Sequence, residues 1–561
     1  MNPTTTEDFA LPSLDELAAR FAAAARSLWP GAEPVVQFEP ARRAEFGDVA
    51  TNVAFGLARV ARKNPQDIAA DIAARALEDE AVRATVAEAT PLAGFINLRL
   101  RPAFWQRVVA DVLREGANYG KGAPAGERIS LEFGSANPTG PLVVVQGRTL
   151  SIGDTLARAM RHAGYDVFTE WIINDAGSQI EALGRSLYAR YRRLYDASYP
   201  FPEDGYPGDY LIPIAEKLRA RDGDKWLSVP EAQAVPELAR FARDEIVAEQ
   251  QEVSRRFRVE YDLWQSEQAL HDAGAIEHGI TRLRDLGVLY EKDGATWLRA
   301  TDAGDDEDRV VVRSDGRPTY FANDIAYHYE KLGRADHVID FLGPDHHGYI
   351  KRLDALANAY GRPGAFEVIL VQQITLKRGS EILSMSKRAG TLVTLQEVID
   401  EVGVDAARFF FVMTSTDQPL TFDLELAKKQ SGDNPVYYVQ YGHARIASVL
   451  RKARESHGDQ LAAAQRGECL HALTEPAELA LARHLAEFGP TVAGVARARA
   501  PHRLTKYARE VASEFHQFYD ACRVLSDDPA TTTARLGLCI ATKTVLATTL
   551  ALCGVNAPDS M

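Results

Sequence analysis

The sequence predicts an α/β chain: a doubly wound Rossmann-type parallel sheet carrying an insertion, preceded by a small α/β domain and followed by an all-α helical-bundle domain. Three observations predict it. Strand-like residues 128–133 and 166–173 flank a helical stretch within about 45 residues, the pattern of a parallel βαβ unit. A helix, strand, helix, strand alternation returns at 323–372, so the two halves complete one sheet around an insertion at about 187–308. From Leu426 onward helix follows helix, with no low-complexity tract or internal repeat.

A chain of 561 residues exceeds one hydrophobic core. We divide it into 1–118, 119–425 and 426–561. The first helix opens with the capping box Ser13-Leu14-Asp15-Glu16, and Leu17, Phe21 and Leu28 follow at helical spacing. Helices at about 51–62 and 65–77, a strand at 95–100 and a helix at 104–115 complete the first domain. Residues 118–126 have turn composition and read as a linker. The strand at 128–133 leads through a Pro- and Gly-rich loop to a helix at 148–162, whose apolar positions are Leu150, Ile152, Leu156 and Met160. Gly164 ends that helix, and 166–173 is the next strand. Later come a helix at 323–331, a strand at 337–342, a helix at 349–360 capped by Gly361, and a strand at 367–372.

Within the insertion, tyrosines over 188–210 alternate with Arg190, Arg192 and Arg193. Such aromatics stack on nucleic acid or pack internally, and at this density packing is the preferred reading. The acidic run 302–308 suits either a cation or a solvated hairpin loop, and the hairpin needs no further assumption.

Composition is globular, with 46% apolar and 25% charged residues. A net charge of -14 argues against bulk attraction to a polyanion. The last 136 residues nevertheless carry 16 basic and 13 acidic side chains, net +3 against -17 for the rest, so a nucleic acid would be met there. Cys469, Cys522, Cys539 and Cys553 show no Cys-x-x-Cys spacing, and neither a zinc site nor a disulfide framework follows. Residues 1–15 are acidic and polar, and no stretch approaches the roughly 18 apolar residues of a membrane span. A cytoplasmic protein with no membrane contact is expected.

Three loops fall where a doubly wound sheet presents its ligand edge. Residues 132–148 join a strand to a helix without Gly-x-Gly-x-x-Gly or Gly-x-x-x-x-Gly-Lys, so neither dinucleotide binding nor a Walker-type cradle is supported. Gly343-Pro344-Asp345-His346-His347-Gly348 places imidazoles at a strand end, where they can meet a nucleotide. Leu383-Ser384-Met385-Ser386-Lys387-Arg388-Ala389-Gly390 is cationic, and Lys387 and Arg388 can neutralise a transferring phosphoryl group.

Met385-Ser386-Lys387-Arg388 resembles the lysine loop of class I aminoacyl-tRNA synthetases. The wider pattern resembles the bacterial arginyl-tRNA synthetase family: Glu132-Phe133-Gly134-Ser135-Ala136-Asn137-Pro138-Thr139-Gly140-Pro141-Leu142, Ile173-Asn174-Asp175-Ala176-Gly177-Ser178-Gln179, the 343–349 loop, and Asp433-Asn434-Pro435-Val436-Tyr437-Tyr438-Val439-Gln440-Tyr441-Gly442-His443-Ala444-Arg445, in that order. Gly47-Asp48-Val49-Ala50-Thr51-Asn52 and Gly94-Phe95-Ile96-Asn97 resemble its amino-terminal domain, and residues 554–561 its carboxyl end.

This resemblance implies an arginine–tRNA ligase. ATP, accompanied by Mg2+ as a substrate, and L-arginine form arginyl-adenylate in a step needing tRNA(Arg), which then takes the arginine; no protein-held metal and a monomer are expected. For arginine it implies Asp324 and Tyr320 at the side-chain end, with Glu132, Ser135, Asn137 and Gln179 completing the pocket. A planar guanidinium with five donors is selected over lysine by such a site. For ATP it implies Pro138, Thr139, Gly140, Val143, Val145, Gln146, Gly147, Asp345, Met385, Ser386 and Lys387, and for catalysis Gln146, Lys387, Arg388, His346 and His347. The amino-terminal module would grip the body of the tRNA and the helical domain read its anticodon, with Tyr441 and Arg445 near the bases. Tyr437, Tyr438 and Tyr441 at helical spacing are equally compatible with a core.

Two departures stand out. Where the family carries His-Val-Gly-His, this chain has Val143-Val144-Val145-Gln146, so only Gln146 keeps a side-chain donor. Ser384 stands where the lysine loop usually begins with another lysine. Either the site is rebuilt, with Gln146, His346, His347, Lys387 and Arg148 around the phosphate, or the chain is a catalytically inactive tRNA-binding paralogue with a regulatory or scaffolding role. A working enzyme is the preferred reading, because the pocket acids and the lysine loop both match.

Overall fold

The computed structural model describes residues 11–41, 43–383 and 393–561, with the side chains of Ala44, His346 and His347 outside that description. Its centre is a five-stranded, all-parallel sheet ordered Phe366–Leu370, His337–Leu342, Arg128–Glu132, Asp166–Ile173, Leu263–Ser266. The order reverses direction between Arg128–Glu132 and His337–Leu342, and a crevice opens beyond the carboxyl ends of strands at such a switch point. The α/β class, with flanking amino-terminal and helical domains, is as expected.

The insertion expected at about 187–308 is not one block outside the sheet, because Leu263–Ser266 returns from it as the fifth strand beside Asp166–Ile173. Its first part is helical: Ser178–Arg193, Leu211–Asp222 and Glu231–Arg256 share a core that includes Leu187, Tyr191, Leu218 and Leu238. The arginines there lie on aromatic rings of the same segment, Arg192 over Tyr199 at 4.9 Å and Arg193 over Phe201 at 5.3 Å, as the packing reading holds. The acidic run joins antiparallel Ala295–Leu298 and Arg309–Val312, where Asp305 bonds Arg309 and Asp308 bonds Thr301.

Helix Leu14–Leu28 begins with the Ser13–Glu16 capping box, and the amino-terminal domain folds around an antiparallel sheet ordered Glu39–Pro40, Val49–Thr51, Phe95–Leu100, Val86–Leu92. It docks on the helical domain, where Arg483 meets Asp48 at 2.5 Å and Gln106 Nε2 donates to Leu473 O at 2.9 Å. Helix Pro529–Leu552 corrects the hydropathy expectation. By length and composition it passes for a membrane span, yet Leu536, Leu538, Leu546 and Leu550 are buried in the bundle. The last residues wedge between bundle and sheet domain: buried Arg408 donates to Cys553 O (2.9 Å) and Phe257 O (2.9 Å) and pairs with Asp154. A Cβ on Gly554, whose φ is +67°, would overlap the Arg408 guanidinium.

Candidate active site

One side of the crevice is built on charge. In parallel register, Glu170, Glu132 and Asp340 stand side by side on three adjacent strands. Three acids in a row repel, and the helix Tyr320–Arg334 answers them with a polar face at i, i+1, i+4 and i+7. Tyr327 Oη donates to Glu170 at 3.3 Å, and Arg334 pairs with the same carboxylate. His328 Nε2 lies 3.0 Å from Asp340, while Lys331 Nζ bonds Glu132 and, at 2.6 Å, Asp340. Lys331 is 0% exposed. Burial opposes its charge, but Asp340 and Glu132 together raise its pKa, and burial pushes that of Glu132 up. Burial also opposes ionisation of Asp340, yet Lys331 and His328 hold its pKa below the ordinary aspartate value.

Asp324 occupies the same helix one turn before His328, and burial raises its pKa. It accepts a hydrogen bond from Tyr349 Oη and lines a cavity of ≈ 90 Å³ with Asn174, Glu267, His271, Asn323 and Tyr327. Glu267, also raised by burial, accepts from Asn323 Nδ2 at 2.7 Å. Two carboxylates with neutral hydrogen-bond donors as partners suit a cation that offers several donors at once. Asp175 secures this wall, accepting from Ser266 Oγ (2.8 Å) and Gln268 N (3.0 Å) at the start of helix Glu267–Asp272. Asn174 donates to Asn137 Oδ1 and accepts at its own carbonyl from Gln179 Nε2, both at 3.2 Å. The Ile173-Asn174-Asp175 motif carried the signal for these two residues, which sequence reasoning left without roles.

Two expected pocket residues sit differently. Glu132 is buried under the edge with its carboxylate held by Lys331, so it braces the row of acids. Tyr320 is 84% exposed and lies outside the cavity lining. Ser135 is half-buried in the loop above the strand.

The other side of the crevice is built on backbone. The helix expected from Arg148 starts earlier, as Val144–His162, because Gln146 Oε1 accepts from Val143 N at 2.7 Å and supplies the cap that a valine lacks. Pro138, Thr139 and Gly140 precede it, with Tyr210 Oη donating to Thr139 O and Gln250 Nε2 to Gly140 O at 2.9 Å. Residues 393–395 run alongside: Val144 N donates to Val393 O (3.1 Å), Leu395 N to Leu142 O (2.8 Å), and Val143 forms an isolated bridge with Thr394. A Cβ on Gly147 would sit 2.6 Å from Leu395 Cδ1, so this glycine permits close packing of two helices. Val145 is exposed on the first turn.

Arg148 corrects an expectation. Its side chain is buried and its guanidinium is bonded to four backbone carbonyls. Asp345 lies in the turn Pro344–Tyr349 after strand His337–Leu342. The side chains of His346 and His347, and Ser384, Met385, Ser386, Lys387 and Arg388 altogether, lie outside the described residues.

On helix Pro435–Ser456, Tyr438 is half-buried against the core, as the core alternative holds, whereas Tyr441 is exposed. Tyr437 and Tyr441 stack at 6.3 Å with rings 7° apart, and Tyr441 is 42% exposed. Arg445 lies over Tyr519 at 4.1 Å and within 5.9 Å of Tyr441. Stacked rings beside a guanidinium form a platform of the type that takes unpaired bases.

Three family models match: the arginyl tRNA synthetase N terminal domain over 15–100, the tRNA synthetases class I (R) catalytic domain over 231–446, and the DALR anticodon binding domain over 439–561. The chain is 45% identical over 540 residues to an arginine–tRNA ligase of Syntrophotalea carbinolica, covering 96% of this chain and 97% of that one. It is 46% identical over 531 residues to that of Moorella thermoacetica, covering 94% of each. Among solved structures, the chain described as a putative arginyl-tRNA synthetase from Campylobacter jejuni aligns with a TM-score of 0.75 at 32% identity, over 82% of this chain and 100% of that one. The Thermus thermophilus arginyl-tRNA synthetase shares the fold, with a TM-score of 0.78 at 24% identity over 98% and 100%.

Proposed function

The chain belongs to the arginyl-tRNA synthetase family, the class I arginine–tRNA ligases, and from that premise we propose how its two-sided crevice divides the reaction. The cavity at Asp324 takes the guanidinium of L-arginine, with Asn174, Asn137 and Gln179 toward the amino acid's other polar groups. ATP, entering with Mg2+ as a substrate, lies over the 138–147 loop and helix start, where the 384–392 segment brings Lys387 and Arg388. Arginine's carboxylate attacks the α-phosphate and pyrophosphate leaves. A terminal ribose hydroxyl of tRNA(Arg) then takes the arginyl group from AMP. Lys387 and Arg388, with His346 and His347, offset charge developing on the phosphate. The Tyr441–Arg445 platform contacts the anticodon, and the amino-terminal domain the tRNA body.

The observation that carries this reading is the half-buried Asp324, bonded by the neutral Tyr349 hydroxyl, in a cavity at the edge of the sheet. The relatives' shared activity favours a working enzyme over an inactive paralogue. Pyrophosphate exchange and arginine charging, each run with and without tRNA(Arg), test it. We expect exchange only with tRNA present, and absence of charging with any tRNA(Arg) preparation defeats the proposal.

A further inference from the structure

Helix Glu267–Asp272 is short, and its first turn sets its position. Ser266 Oγ accepts from Ala269 N (3.0 Å), and Gln268 N donates to Asp175 Oδ1 (3.0 Å), which pins the helix to the loop leaving strand Asp166–Ile173. Residues four apart share a helix face, so His271 stands one turn after Glu267, and both line the cavity that holds Asp324. Helix Tyr320–Arg334 forms the facing wall and is joined across the gap by the bond from Asn323 Nδ2 to Glu267.

His271 differs from the other polar groups of the cavity. Its Nε2 is buried with no hydrogen-bond partner among the described residues. Buried side-chain nitrogens are almost always bonded, because an unbonded one loses its hydration and recovers nothing. The acids beside it are only partly used. Asp324 accepts from Tyr349 on Oδ2 and Glu267 from Asn323 on Oε1, and a carboxylate offers further lone pairs on both oxygens. Ile172, Leu270, Ile276 and Ala326 give the cavity its apolar lining. An apolar side chain at 271 would extend that lining and bury no idle nitrogen; histidine instead places an acceptor where two acids already gather.

We propose that His271 is a further arginine-binding residue: with its proton on Nδ1, the neutral ring accepts a guanidinium N–H at Nε2, beside Glu267 and Asp324. The proposal rests on the reading of this cavity as the guanidinium pocket and adds a third acceptor group to it. A guanidinium spreads five donors over one plane, whereas an ammonium concentrates three at a point, so acceptors on separate elements match arginine and leave lysine short of contacts. The imidazole makes this match without a third negative charge, which would make the empty pocket costlier to desolvate.

Asparagine and glutamine at this position separate reach from polarity. The glutamine amide extends to where Nε2 lies, and the asparagine amide stops near Nδ1. In tRNA-dependent pyrophosphate exchange by the full-length chain, His271→Asn raises the KM for arginine by about tenfold to a hundredfold, the cost of a buried donor left without its acceptor. A contact made equally in ground and transition states leaves kcat and the KM for ATP within about twofold of the parent. His271→Gln keeps the arginine KM within about threefold, because its amide oxygen takes the place of Nε2. An arginine KM in His271→Asn within about twofold of the parent, an equal rise in both variants, a matching rise in the KM for ATP, or loss of folding in either variant overturns the proposal. The first of these is the result if a water alone satisfies Nε2, and the last would make His271 a strut of the wall. Asp324→Asn tests the reading beneath: an arginine KM unmoved by that change overturns the assignment of the cavity, whatever His271 does.

Discussion

The two walls of the crevice reach order by opposite means. On the wall we assign to the amino acid, helix Tyr320–Arg334 places side chains against a row of three carboxylates, and every acid has a named partner. On the wall we assign to the nucleotide the fixed groups are backbone: a helix start capped by Gln146, a β-like contact with 393–395, and four carbonyls gathered by Arg148. The difference teaches where substitution is tolerated. A wall made of buried charge fails when one residue changes, because each charge is solvated only by its neighbours. A wall made of backbone keeps its shape while its side chains vary, which is how Val143-Val144-Val145-Gln146 still begins a helix.

Three variants break or sharpen this contrast. Lys331→Met removes the only cation bonded to Glu132 among the described residues, leaving it beside Asp340; this wall loses about 3–5 kcal/mol, read by urea unfolding of the full chain. A loss below about 1 kcal/mol would mean the row is not held by charge. Asp324→Asn comes next. It lowers kcat/KM for arginine by about a hundredfold, the scale of a lost charge-assisted bond, and leaves the KM for ATP unchanged. It also removes a pH dependence. Burial raises the Asp324 pKa, so the empty pocket protonates at a higher pH than an exposed aspartate. Arginine needs the ionised form, hence kcat/KM falls as pH drops through that raised value, and Asp324→Asn flattens the profile. For folding the sign is reversed: a raised carboxylate pKa adds stability below the unfolded value and withdraws it as pH climbs through the folded one.

The smallest effect is expected at Gln146. Gln146→Ala gives up the cap, about 0.5–1 kcal/mol by thermal melt, and lowers exchange about tenfold if its amide also meets the phosphate. Gln146→Glu separates the two roles. It keeps the acceptor for Val143 N while removing the donor and adding negative charge. Full exchange in the glutamate variant would assign Gln146 to the cap alone.

Much of the fold was written in hydrophobic period. Strands at 166–173 and 337–342 match their expected bounds, because alternating or continuous β-branched and aromatic runs end there at glycine or turn residues. Leu263–Ser266 escaped notice, since a four-residue, half-buried edge strand carries too little period to separate from a loop. The helix at 144 was placed late because its cap comes from Gln146, inside the helix, and not from a Ser, Thr, Asp or Asn before it. Within the site, the motif singled out Asp324, and the structure places it in the cavity lining. Lys331 was not: a lysine between Glu330 and Leu332 reads as solvated, and only the register of Glu132 with Asp340 creates the place where its charge is needed. Arg148 misled for the same reason. A cation next to a phosphate-binding motif suggests a ligand, while its carbonyl partners come from residues more than 220 positions away.

The wedge at Gly554 bears on how the molecule comes apart. Arg408 joins Asp154 of helix Val144–His162, the 257–258 turn and the carbonyl of Cys553 through one guanidinium. Asp405 receives Gln440 Nε2 (2.9 Å) and Asn556 N (3.1 Å) across the same seam. Detaching the helical bundle would take the Cys553 carbonyl from Arg408, leaving it Asp154 and Phe257, and would open the flank of helix Val144–His162. A fragment cut free of the bundle would therefore inherit an exposed polar seam instead of a finished surface.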